Sequence, residues 1–314
     1  MGCAEQPPVV AFHVQAGSRV GMGHLARTSS VIKTLSLLGV ETVLHLDADR
    51  LGYQEARFRG LSPVETLPEL PSVLVIDAVE VDSDLAKQIQ QYEMRVLISP
   101  VFNHPELASH ILVRNNPEWL DANNLPETKV VVDPDYSFAT AYGLQISGQD
   151  YKTLRVGVCL SGGDDDLDLE QIIDAIARAP LVSEIRLIDR RTPAKSSYHG
   201  VTVSHQTPDR EPWRYFQHIN IFVGGDGVML SEAVAQGIPA LSLTTPALSY
   251  KNHALMDGGA LRNISRSPFE SRKLIRILSD RYVAQRMHES ALSLHGVERS
   301  DKLAKHIIQI VRGM

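Results

Sequence analysis

The stretch "VVAFHVQAGSRVGMGHLARTSSVIKTLSLLGVETVLHL", residues 9–46, holds an apolar run, a glycine-rich turn, an amphipathic run and a second apolar run. Its opening "VVAFHV" (9–14) is short, rich in β-branched residues and almost unbroken in its hydrophobicity, as a strand buried on both faces is. Leu25, Val31, Ile32, Leu35 and Leu38 then fall on one helical face, and Gly39 supplies the stop. "ETVLHL" (41–46) resumes the strand pattern. Two such strands joined through a helix predict a parallel pairing.

Working outward, the alternation persists. "SVLVID" (72–77) and "RVLIS" (95–99) read as further strands, with Leu85, Ile89 and Tyr92 marking a helix between them. Residues 130–153 are polar and turn-rich and predict a connection. A second series follows in "LRVGVCL" (154–160), "EIRLI" (184–188), "VTV" (201–203), "INIFVGG" (219–225) and "PALSL" (239–243), and the chain turns helical from Glu270. The pattern predicts an α/β protein of two doubly wound, Rossmann-like domains, residues 1–150 and 151–314, with a cleft between them.

Composition narrows the partners. The chain has 314 residues and a formal charge of −6, with no basic stripe, which argues against a nucleic-acid binder. An anionic ligand stays possible, because backbone amides and helix N-termini hold phosphates without net charge. The only two cysteines, Cys3 and Cys159, are too few for a disulfide framework or a cysteine zinc site. No apolar run approaches the length of a membrane span, and "MGCAEQPP" (1–8) lacks a signal core. A cytoplasmic protein without stable membrane insertion is expected; nothing in the sequence fixes its oligomeric state.

Ligands of open parallel sheets bind beyond the carboxyl ends of the strands. Three glycine-rich turns fall there: "AGSRVGMGH" (16–24), "LSGGDDD" (160–166) and "VGGDGVMLSEAVAQGIP" (223–239). Glycine permits tight turns and close anion approach, although strand–helix geometry alone also uses it. In the third turn Ser231 and Glu232 follow at helical spacing, where Glu232 suits a ribose or simply the helix dipole. The order of Gly17, Gly21 and Gly23 is not that of the dinucleotide fingerprint, and no phosphate-loop lysine is present, so no redox cofactor or ATP is expected. Asp47 and Asp49 form a D-x-D that a metal-dependent transferase could use, but such a motif is short and aspartates are common in loops, so no metal is expected there. "DDDLD" (164–168) reads as a loop capping the next helix.

"GSRVGMGHLARTSSVIKTL" resembles the N-terminal signature of the UDP-sugar hydrolases of the pseudaminic acid pathway, relatives of the transferase that builds the lipid-linked peptidoglycan precursor. "VLVIDA", "VCLSGGDD", "FVGGDGVMLSEAVAQGIPALSL" and "GVERSDKLAKHII" extend the resemblance over most of the chain. It implies the GT-B fold and release of UDP from a UDP-linked amino or deoxy sugar in surface-glycan biosynthesis. The resemblance makes His24 the base for a water attacking the anomeric carbon, with inversion and with neither metal nor cofactor. It assigns UDP to Gly162, Gly163, Gly224, Gly225, Ser231 and Glu232. The sugar or phosphate side falls to Gly21, Gly23, Arg27 and Asn252; Arg27 suits either a phosphate or a neighbouring carboxylate.

The sugar half departs from that family. Ala78 and Val79 replace a histidine and a tyrosine, "ISPVFNHP" (98–105) replaces a strand ending in two aspartates, and Leu248 stands at a common glutamine. Two other activities therefore stay open: an inverting GT-B glycosyltransferase using the same base on an acceptor hydroxyl, and a non-catalytic sugar-nucleotide-binding protein.

Overall fold

The computed structural model describes residues 9–69, 73–115, 125, 128–133, 136, 151–160, 167–189, 191–206, 212–294 and 300–313. The chain divides into two compact units, Met1–Phe138 with Arg299–Met314, and Ala139–Glu298.

The first unit runs β1 (Val9–Ala16), α1 (Gly23–Leu37), β2 (Glu41–Ala48), α2 (Arg50–Phe58), β3 (Val73–Asp77), α3 (Ser83–Gln90), β4 (Met94–Leu97), β5 (His110–Val113) and β6 (Lys129–Val132). The order across its sheet is β2-β1-β3-β4-β5-β6, with every pairing parallel. In β1, Val10, Phe12 and Val14 face one layer while Ala11 faces the other, and all four are fully buried. The unbroken apolar run thus has the two-sided burial expected of it. Helix α1 buries Leu25, Val31, Ile32 and Leu35, but Leu38 lies just past its end and is exposed.

The second unit runs β7 (Leu154–Cys159), α4 (Leu169–Ala177), β8 (Val182–Ile188), β9 (Ser197–Tyr198), β10 (Val201–Gln206), α5 (Pro212–Phe216), β11 (Ile221–Gly224), α6 (Val228–Ala235), β12 (Ala240–Thr244), α7 (His253–Asp257), β13 (Leu261–Ser265), α8 (Ser271–Leu278) and α9 (Arg281–Ser293). Its strand order is β13-β12-β11-β7-β8-β10-β9, parallel except for the antiparallel β9–β10 edge. Asp168 caps α4, accepting from the Gln171 N–H at 3.0 Å, as its place in "DDDLD" suggests.

Two further features depart from the sequence reading. Residues 129–132 form edge strand β6 where a connection is expected, because Val130 to Val132 pair with β5 although much of their surface is exposed. The last helix, α10 (Ser300–Arg312), belongs to the first unit and not to a domain spanning 151–314. Its Leu303, Ala304, Ile307 and Ile308 are buried in the same cluster as Val31 and Leu35 of α1. Burying each of its large side chains is worth about 1.5–3 kcal/mol, enough to bind the returning helix to the first unit. Lys302 pairs with Asp133 at 2.8 Å, and the His306 ring bonds the Tyr136 hydroxyl. Among the described residues, no helix is long and apolar enough to cross a membrane.

Candidate functional site

In the first unit, the turn between β1 and α1 closes on itself. Gly17 and Gly21 exchange backbone hydrogen bonds at 3.2 and 2.8 Å. Both have positive φ, 138° and 78°, a region in which glycine alone is free of Cβ strain. Gly23 is the first residue of α1. The turn delivers His24, Arg27 and Thr28 to one face of the helix at spacings of three and four. That face lies over Asp77, the last residue of β3, which is completely buried.

Asp77 is saturated with donors. His24 Nδ1 lies 2.7 Å from Oδ1, Arg27 Nε donates to Oδ2 at 2.8 Å, and Thr28 Oγ1 donates to Oδ2 at 2.9 Å. Arg27 Nη2 adds a bond to Oδ1. Four donors fill the roughly four acceptor sites of a carboxylate. Burial opposes the charge, but Arg27 and then His24 outweigh it and hold the Asp77 carboxyl well below the usual range. Arg27 Nη2, which can only donate, also stands 3.0 Å from His24 Nδ1, so Asp77 and Arg27 compete for that nitrogen. A proton on Nδ1 serves the closer Asp77, which can only accept, and leaves the Nε2 lone pair free. Arg27, which the sequence leaves between a phosphate and a carboxylate, forks onto this carboxylate. Beyond β5, Arg114 stands near enough that burial, and then the charge of Arg27, pull it down to about 10; it remains a cation at neutral pH.

The second unit carries the other expected residues. The turn after β11 leads into α6, whose first residues Val228 and Met229 have N–H groups with no helical acceptor, as in any first turn. Gly225 donates its own N–H to the Cys159 and Leu160 carbonyls at 3.3 and 3.0 Å. A Cβ on Gly225 would stand 2.0 Å from the Leu160 oxygen, so close approach to the end of β7 explains this glycine. Ser231 and Glu232 are both buried on α6, and Ser231 Oγ donates to the Val228 carbonyl at 2.9 Å. Gly162 and Gly163 lie outside the described residues.

Asn252 is drawn into a polar network at the carboxyl ends of β11, β12 and β13. Asp226 accepts from Ser242 Oγ at 2.7 Å, Thr244 Oγ1 at 2.7 Å and Asn252 Nδ2 at 3.0 Å. Asn252 Nδ2 also contacts Ser242 Oγ at 2.9 Å and Asn263 Oδ1 at 3.1 Å. Ser242, Thr244 and Asn252 are buried, whereas Asp226 is half-buried.

The sequence reading misses Asp77 and Asp226 as functional groups. Each carries a signal: Asp77 ends an otherwise apolar strand, and Asp226 sits between two glycines at a strand–helix junction. The D-x-D pair is accounted for differently. Asp49 caps α2 and accepts from Ser18 N, Ser18 Oγ and Gly52 N at 2.8, 2.6 and 3.0 Å, while Asp47 accepts from Gln15 at 2.8 Å. Among the described residues, no group of three or more His, Cys, Asp or Glu is placed to hold a metal ion.

No protein-family model matches the sequence, and comparison with curated proteins gives no match. Solved structures do match. MnaA of S. aureus in complex with UDP is 11% identical, with 98% of each chain covered and a TM-score of 0.68. The UDP-GlcNAc 2-epimerase of Neisseria meningitidis bound to UDP-GlcNAc is 12% identical, covering 98% of this chain and 100% of its own, with a TM-score of 0.67. The glycosyltransferase SnogD of Streptomyces nogalater is 13% identical over 98% and 100%, with a TM-score of 0.53. At such identities the likeness is one of fold: the chain has the two-unit α/β architecture of the GT-B class.

Proposed function

We propose that this protein is an enzyme acting on a UDP-linked sugar, in which His24 deprotonates the nucleophile that displaces UDP. One observation carries the reading: an imidazole at the carboxyl edge of a parallel sheet is fixed through Nδ1 by a buried, ionised carboxylate. With its proton on Nδ1 the ring offers Nε2 as a general base, and such a base contributes on the order of 10²–10⁴-fold to a rate.

The balance of the step is simple. Water gives a proton to His24 Nε2 as its oxygen bonds the anomeric carbon, and the bond from that carbon to the diphosphate oxygen breaks. UDP leaves with the electron pair. Attack opposite the leaving group inverts the centre and yields the free sugar. Asp77 holds the ring and stabilises by its charge the imidazolium that forms; Arg27 fixes Asp77, while its Nη2, 3.0 Å from His24 Nδ1, opposes the new charge. In the second unit, the first-turn amides of α6 suit a diphosphate, and Glu232 suits a ribose hydroxyl. No metal is required by this reading, since helix amides can neutralise the leaving group.

Hydrolysis is the first reading, because "GSRVGMGHLARTSSVIKTL" resembles the UDP-sugar hydrolases. Transfer to an acceptor hydroxyl is the second, favoured by the fold shared with a glycosyltransferase. The test is release of UDP from a panel of UDP-sugars, with and without acceptors and chelator. UDP release in water alone supports hydrolysis, and release only with an acceptor supports transfer. Binding without release under every condition sinks both, and loss in chelator sinks the metal-independent step.

A further inference from the structure

Asp226 is an anomaly for a diphosphate-binding turn. It is the third residue of "GGDG" (224–227), immediately ahead of α6, where an anion would meet helix amides. A carboxylate there repels phosphate unless its charge is directed elsewhere. The network shows how it is directed.

On its inner side the carboxylate is held at both oxygens. Oδ1 accepts from Ser242 and Asn252, and Oδ2 accepts from Thr244. Ser242 and Thr244 are alternate residues of β12, hence on one face of the strand, so they grip Asp226 as a pair. Three bonds leave about one acceptor site of the roughly four, on Oδ2 of a half-buried group. Asn252 is oriented by the same logic. Its Nδ2 faces Asp226, Ser242 Oγ and Asn263 Oδ1, and Ser242 spends its own proton on Asp226. The amide nitrogen is fixed inward, and the Asn252 carbonyl oxygen accepts no hydrogen bond from the described residues. What the network offers a ligand is therefore acceptors.

We propose that Asp226, with the Asn252 carbonyl beside it, determines specificity by meeting a hydrogen-bond donor, a hydroxyl or an ammonium, on the sugar of the nucleotide substrate, and disfavours an acidic sugar. This rests on the UDP-sugar reading above. An acidic sugar brings like charge to this carboxylate, and a neutral or amino sugar does not.

The experiment is calorimetric titration of the full chain with UDP, UDP-glucose, UDP-glucosamine and UDP-glucuronate. The wild type is expected to bind UDP-glucose or UDP-glucosamine at least about tenfold more tightly than UDP-glucuronate, the scale of a like-charge contact. UDP-glucosamine binding more tightly than UDP-glucose identifies an ammonium as the donor; equal affinities identify a hydroxyl. Asp226→Asn, which keeps the shape but removes the charge, is expected to collapse the discrimination against UDP-glucuronate while UDP affinity stays within a few-fold. Equal binding of all three sugars by the wild type overturns the proposal without needing any variant to fold. Discrimination that survives in D226N also overturns it and leaves Asp226 a clamp for the turn. A wild type that binds no UDP overturns the UDP-sugar reading, and this inference with it; a wild type that binds UDP but ignores sugar charge overturns this inference alone.

Discussion

His24 Nδ1 lies 2.7 Å from Asp77 Oδ1, joining residues 53 positions apart through the end of one strand and the start of one helix. The contact favours the tautomer protonated on Nδ1, against the Arg27 Nη2 that stands 3.0 Å from the same nitrogen, and limits rotation of the ring. His24→Ala is expected to lower kcat by about 10²–10⁴-fold while UDP affinity stays within a few-fold. Asp77→Asn keeps the volume but offers a donor to Nδ1, so it should lower kcat more than it weakens binding. Single-turnover kinetics beside calorimetric UDP titration checks both; an unchanged rate in H24A removes the residue from the mechanism.

Glu232 is buried on α6, one turn into the helix that follows the glycine turn. If it accepts from the ribose, Glu232→Ala should weaken UDP binding by ~1–3 kcal/mol, the usual loss for a hydrogen bond to a charged group. Titration with UDP and with uridine tests the placement, because the loss should be equal for the two. Unaltered affinity for both excludes the ribose contact.

A pH dependence of stability follows from a different pair. His13 is fully buried, with its Nδ1 2.9 Å from His45 Nδ1 across the paired strands β1 and β2. Burial, and then the neighbouring His45, bring the His13 pKa down to about 4, against the opposing pull of Asp47 and more distant acids. The unfolded chain takes up this proton near pH 6.5 and the folded chain only near pH 4. Protons therefore favour unfolding across that window, and stability should fall by about 3 kcal/mol as the pH drops through it. His13→Leu should flatten this part of the profile, as read from urea midpoints between neutral pH and pH 4.5. An equally steep profile in the variant would assign the proton uptake to other groups.

The returning helix sets a fourth expectation. Leu303 and Ile307 of α10 are fully buried against the first unit. Truncating either to alanine should cost about 2–5 kcal/mol, the range for large-to-small changes in a packed core. Hydrogen exchange should show the loss in α1 and β1, and leave β7 and β11 unaffected. Matching losses in both units would show that the helix stabilises more than the first.

Much of the fold is legible because burial on both sides writes itself into sequence. The runs at 9–14, 72–77 and 154–160 could scarcely be anything but central strands. Edge strand β6 is not legible, since "KVVV" (129–132) lies next to a polar segment and three of its four residues are exposed. Nor is the ownership of α10: its apolar face fits any core, and only tertiary packing decides which. His24 stands out through its glycine turn, whereas its partner Asp77 is separated from it by two elements of chain, β2 and α2. Asn252 illustrates the converse, a polar residue whose type suggests a sugar contact but whose amide nitrogen is committed to Asp226, Ser242 and Asn263.

Because α10 inserts beside α1, the first-made part of this protein cannot finish packing until residues 300–312 have left the ribosome. The middle segment, 139–298, carries all the strands of its own sheet and can close sooner. Translation order and completion order are thus reversed. A nascent chain stalled before residue 300 would display the bare Val31–Leu35 seam of α1 to chaperones, even with its second sheet already assembled.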